Sequence, residues 1–118
     1  MLSLLPCELL LNPAVCFDNE IALLWTGDVI GYVNELSPAL QHVTVRARGD
    51  KALGLYPLLR VFVNEIQVGQ TFVDSEWKDY EFKTNVEKAP YRVRVRFDND
   101  KGGKDEDRNM YLNSITLH

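Results

Sequence analysis

Residues 91–97 read Tyr-Arg-Val-Arg-Val-Arg-Phe, with Tyr91, Val93, Val95 and Phe97 on one side and an arginine at each position between. A two-residue repeat cannot belong to a helix, whose apolar positions return every three or four residues. It marks a strand with one face on a core and the other in water. Residues 43–48 repeat the pattern. Segments 58–63 and 66–73 flank Asn64-Glu65, a two-residue hairpin signal in which glutamate stands where glycine is usual. Segment 77–82 alternates too, with Trp77, Asp79 and Glu81 on one side and Lys78, Tyr80 and Phe82 on the other. Over 111–117, the same rule expects Tyr111, Asn113, Ile115 and Leu117 on one face. Segments 20–25 and 29–33 surround the turn Thr26-Gly27-Asp28. The spacing predicts eight or nine short strands and no helical stretch of the kind a βαβ fold needs. The expectation is all-β, an antiparallel β-sandwich.

At 118 residues the chain is expected to form a single domain over 1–118, large enough to bury a core without metal or disulfide staples. A net charge of −4 and a pI near 5.1 exclude a broad basic surface for nucleic acid or anionic lipid. Arg46, Arg48, Arg92, Arg94 and Arg96 alternate with valine and alanine and read as the outward rows of two strands. The opening MLSLLPCELLLNPAVC is apolar, but it lacks the positive n-region and small-residue cleavage site of a secretory leader. Pro6, Glu8 and Pro13 interrupt it, and it is too short to span a bilayer, so no membrane insertion is expected. It reads as the first strand, in a domain cut from a longer protein. Cys7 and Cys16 leave a disulfide and two buried thiols both open.

The least ordinary stretch is FDNDKGGKDEDRN, residues 97–109. It lies in one of the two longest irregular segments, 98–108, the other being 49–57. Loops on rigid β scaffolds carry function disproportionately. Asp98, Asp100, Asp105, Glu106 and Asp107 repel one another unless a cation or nearby Lys101, Lys104 and Arg108 compensate. Gly102 and Gly103 let the backbone turn sharply and aim carbonyls inward, as a hard-cation site requires. An EF-hand fails: with Asp98 at loop position 1, position 12 is Asn109 instead of glutamate, and the flanks read as strands. Zinc lacks clustered histidine and cysteine. His42 and His118 are poorly placed for a nucleophile–histidine pair, and nothing marks a carboxylate with a raised pKa, so no enzyme is expected.

The order of these strings resembles known proteins. Phe97-Asp98-Asn99-Asp100, a short glycine-bearing insert, then 107–115 (DRNMYLNSI) is similar to the "FxND … DRNLYVDxI" ending of calcium-dependent, xylan-binding-type carbohydrate-binding modules. Families 36 and 60 are the nearest, with the family 35 group more distant. VRARG at 45–49, LRVFVN at 59–64 with Val68-Gly69, and WKDYEF at 77–82 resemble the upstream strands of those modules. The resemblance covers residues 41–117. Leu112-Asn113 replaces the family's "VD", Asn64-Glu65 replaces Asn-Gly, and the first 40 residues match loosely.

The resemblance implies a jelly-roll sandwich whose loops hold Ca2+, with vicinal hydroxyls of a polysaccharide or oligosaccharide completing the coordination. Such hydroxyls are neutral oxygen donors able to replace water on a flexible sphere. Carried over by position, Asp100 and Asp107 are expected as side-chain ligands. Asp105 and Glu106 follow, through side chain or carbonyl, and Asn99 and Asp98 complete the candidates. For the sugar, the expected contacts are Arg108, Asn109, Tyr56, Trp25 and Asp50; Arg108 could instead be the structural partner of a carboxylate, Asn99 and Asn109 could ligate or brace the loop, and Asp50 could complete the site if the two long loops meet. Trp77 and Tyr111 are expected in strand packing. The family implies a non-catalytic glycan-binding module, extracellular or in the cell envelope, joined to other domains. The alternative is a structural or protein-interaction sandwich that has lost sugar binding.

Overall fold

The alternating segments pair into two antiparallel sheets. A computed structural model describes residues 2–4, 10–12, 15–17, 20–24, 26–33, 39–87, 91–102 and 106–118. One sheet contains β3 (Val15–Phe17), β4 (Glu20–Leu23), β11 (Met110–Leu117), β6 (Leu40–Gly49) and β9 (Lys78–Val86) in that order, with β1 (Leu2–Leu4) also on β11. The other runs β2 (Leu10–Asn12), β5 (Gly27–Val33), β10 (Tyr91–Phe97), β7 (Leu58–Val63) and β8 (Ile66–Phe72). The all-β expectation holds. The opening segment is not one strand but three short ones, spread over both sheets. Pro6 and Pro13 in the sequence between them cannot donate to a ladder.

Tyr91, Val93, Val95 and Phe97 are buried, as their alternation predicts, against Leu59 and Val61 of β7 and Val43, Val45 and Ala47 of β6. Each fully buried Val, Leu or Phe contributes roughly 1.5–3 kcal/mol, so this interlayer core holds the sheets together. In β11 the predicted face holds for Ile115 and Leu117 but not for Tyr111 and Asn113. Met110 and Leu112 are buried, and so are Ile115 and Leu117, because the pairing with β6 shifts by one residue between Leu112 and Ser114. A bulge of this kind inverts the alternation beyond it. Tyr111 therefore stands on the outer face, and the Arg48 guanidinium lies 4.2 Å from its ring centre.

The outer face of the second sheet is a charge ladder. Arg94 and Arg96 reach Asp28 at 2.9 and 3.0 Å, and Arg92 and Arg94 both meet Glu65. Arg96 and Arg60 converge on Asp98 at 2.7 and 2.9 Å. The Arg96 hydrogen bond, with help from Arg60, holds the Asp98 carboxyl below the usual aspartate range. A depressed folded-state pKa adds stability above the unfolded value and loses it as pH falls through the folded value. Removing that carboxylate as Asp98→Asn should therefore lower the melting temperature at neutral pH but not at a pH below the depressed value. An equal deficit at both pH values in thermal melts would show that the ion pairs are not what Asp98 contributes.

Candidate functional site

Register brings the two long loops to one end of the sandwich. Met110 lies opposite Gly49 and Leu23, and Phe97 lies opposite Leu59 and Gly27. The segments after β6 and β10, before β7 and β11, and the turn before β5 therefore meet there.

The meeting is enforced by Arg108, which is only 3% exposed. Its guanidinium donates to the Leu55 carbonyl at 3.0 Å, to the Ala52 carbonyl at 2.7 Å and to the Asn99 carbonyl. A planar fork of five donors can bridge carbonyls from two loops at once, which an ammonium cannot do as well. Asn99 adds a second brace: its Oδ1 accepts from the Leu58 amide at 2.6 Å and its Nδ2 donates to the Tyr56 carbonyl at 3.1 Å. Glu106 adds a third, its carboxylate accepting from the Leu53 amide at 3.2 Å.

Beside this frame lie two carboxylates, Asp100 half-buried and Asp107 exposed. Gly102 and Asp107 form an antiparallel bridge that closes the acidic loop, and Arg108 donates its amide to the Lys101 carbonyl at 3.2 Å. The loop is tight. A Cβ on Gly102 would lie 3.1 Å from the Glu106 carbonyl oxygen and 3.3 Å from Asp107 Oδ1. Asp100 enters from the other side, its amide on Thr26 Oγ1 at 3.3 Å. Its Oδ1 is buried and finds no hydrogen-bond donor among the described residues. Burial pushes the Asp100 carboxyl above the usual aspartate range; the Asp107 charge adds to this and Arg108 opposes it. A half-buried carboxylate beside a second one, with an oxygen that no donor among the described residues satisfies, carries an uncompensated cost that a cation could relieve. The donor set, carboxylate and carbonyl oxygens, fits calcium.

Among the described residues no three His, Cys, Asp or Glu side chains cluster as a full cage. Asp105 lies outside the described residues, as do Trp25 and Cys7.

A family matches this chain over residues 42–118, described as "Ca-dependent carbohydrate-binding module xylan-binding". The chain belongs to carbohydrate-binding module family 60. Solved structures share the fold of this family 60 module at low identity. One is a family 36 module in complex with calcium and xylotriose, 12% identical, with a TM-score of 0.70 and 100% of both chains covered. Another is the first family 36 domain of a multidomain xylanase from the hindgut metagenome of Trinervitermes trinervoides, 12% identical, with a TM-score of 0.73 and 99% and 95% of the two chains covered. A family two carbohydrate esterase from Cellvibrio japonicus contains the same fold in 32% of its length, with 98% of this chain covered, 11% identity and a TM-score of 0.66. Among curated proteins no match was found.

The other described candidate residues of the module have partners of their own. Asp98 is held on the outer sheet face by Arg60 and Arg96. The loops meet, but Asp50 turns its Oδ2 to the Tyr111 hydroxyl at 2.8 Å. Tyr56 is half-buried, with Lys51 Nζ 5.6 Å from its ring centre. In the orientation that satisfies both ends of its amide, Asn109 donates to the Leu24 carbonyl at 3.3 Å. Three contributors escaped the sequence reading. Thr26 was visible only as part of a turn, whereas the Leu53 amide and the carbonyl of Ala52 belong to backbone, which side-chain patterns do not report.

Proposed function

We propose that the family 60 module binds polysaccharide through a calcium ion held by Asp100 and Asp107, with Glu106 and Asp105 as further oxygen donors from the same loop. The observation that carries this is Asp100 Oδ1, buried and without a donor among the described residues, beside the Asp107 charge. Bound calcium supplies a positive centre with open coordination positions, which two neighbouring sugar hydroxyls can fill. Asn99 and Arg108 brace the loops that carry the carboxylates, and Asp98 anchors the end of β10. Tyr56, Asn109, Asp50 and Trp25 are the candidates for the cleft around the sugar. The family description and the xylotriose bound to the family 36 relative support a xylan-type ligand. The module works without catalysing hydrolysis, as one domain, 1–118, of a larger extracellular or cell-envelope protein.

A calcium titration tests the reading. Extracellular modules bind calcium with dissociation constants on the order of 0.1 to 1 mM. About 10 mM calcium should then add ~1.4–2.7 kcal/mol of stability, raising the melting temperature by roughly 5–10 °C, and EDTA should reverse the rise. In the same buffers, soluble xylan in a native gel should retard the protein only with calcium. A flat melting temperature and calcium-independent migration would instead mark a structural sandwich.

The raised Asp100 pKa adds a signature. An elevated carboxyl must lose its proton before it can ligate, so calcium affinity should begin to fall above the pH range of an ordinary aspartate. Calorimetric titration from neutral pH downward measures this. Affinity that holds steady through the ordinary aspartate range would remove Asp100 from the ligand set.

A further inference from the structure

Among the described residues, two hairpin turns force a side chain into the left-handed region. In the turn between β7 and β8, Asn64 and Glu65 have φ of 51° and 67°. Asparagine tolerates that conformation, and Glu65 is rewarded with ion pairs to Arg92 and Arg94. In the other, Ala52 and Leu55 exchange amide hydrogen bonds of 3.0 and 3.1 Å around Leu53 and Gly54, with φ of 52° and 82°. Gly54 suits its position. Leu53 does not, and its side chain gains no compensating burial: it is 47% exposed and Leu55 is 49% exposed. Such a two-residue turn favours Asn-Gly. A strained residue whose side chain does nothing for the fold points to a role outside it.

The place of this hairpin suggests the role. Glu106 of the acidic loop accepts the Leu53 amide, and the Arg108 fork holds the carbonyls on both sides of the turn, Ala52 and Leu55. An exposed apolar pair is thus locked beside the cation-binding loop. Pyranose rings are polar at the rim and apolar on their C–H faces, so a ring held by its hydroxyls still has a face to bury. We propose that Leu53 and Leu55 form the apolar wall of the glycan cleft, packing on a sugar ring next to the one at the cation and setting which polymers fit. This rests on the calcium-dependent reading above.

The test uses Leu53→Asn and Leu53→Ala in the whole chain, with soluble xylan as probe in calcium. Leu53→Asn should relieve the backbone and raise the melting temperature by about 2–4 °C, yet weaken xylan binding roughly three- to tenfold, with calcium affinity unchanged. Leu53→Ala should weaken xylan equally without the thermal gain. Wild-type and both variants bound equally by xylan would overturn the wall alone. So would a loss of xylan binding matched by a loss of calcium affinity, since the hairpin would then act on the cation. A wild type that responds to neither calcium nor xylan would overturn the wall together with the calcium-dependent reading.

Discussion

Alanine at Asp100 or Asp107 is expected to abolish calcium-dependent glycan retention while leaving the sandwich folded. On the proposed reading each removes a charged ligand from a site with few others, so calcium affinity should drop about 100-fold or more. The metal-free protein should respond in the opposite sense. Asp100 is disfavoured as a charge by burial and by Asp107, so its removal relieves a cost that the empty site carries. Asp100→Ala without calcium should melt no lower than wild type, and the upward shift on adding calcium should vanish. Melting curves with and without calcium, beside affinity electrophoresis on xylan, separate this from general damage. A variant that still shows the calcium shift would mean that Asp100 is not a ligand.

Arg108 should give the largest loss of stability. Its guanidinium is buried and bonded to carbonyls of Ala52, Leu55 and Asn99, and it joins the two loops together with Asn99, Glu106 and the hydrogen bond from the Asp50 amide to the Asn109 carbonyl. Arg108→Met keeps much of the volume but strands those carbonyls, each of which had replaced water with the fork. The expected cost is about 3 kcal/mol, a fall of roughly 10–15 °C in melting temperature. Calcium affinity should fall too, because the acidic loop loses its register against the 49–57 segment. Arg108→Lys should recover little, since one ammonium cannot span the same three acceptors. Urea unfolding with and without calcium measures both effects. A loss below about 1 kcal/mol would mean that the loops are joined by something else.

These two residues also show how far the sequence could be read. Asp100 was legible as a candidate: its acidic loop with turn glycines fails the EF-hand register, and the resemblance to calcium-dependent modules implied a cation in another geometry. Arg108 was legible as a residue of interest but not as a clamp. Its partners are peptide carbonyls 9 to 56 positions away, and carbonyls carry no letter in a sequence. The same limit explains Asp50, which was expected to join the site if the loops met. They meet, yet a bulge in β11 turns Tyr111 outward and its hydroxyl takes Asp50. Alternation reports which face a residue occupies only until an extra residue slips the ladder.

The chain by itself determined the strands of the central core, the all-β class, the position of the acidic loop and the residue types a hard cation needs. Those are local properties, set by a two-residue period, by turn residues and by charge crowded into a few positions. Tertiary structure decided which carboxylates remain free. Of the acidic side chains expected around the ion, Asp98 is neutralised by guanidiniums on neighbouring strands, Glu106 serves the Leu53 amide, and Asp100 alone keeps a buried oxygen without a donor among the described residues. That sorting depends on partners brought together by sheet register, and long-range register is what a local pattern cannot carry.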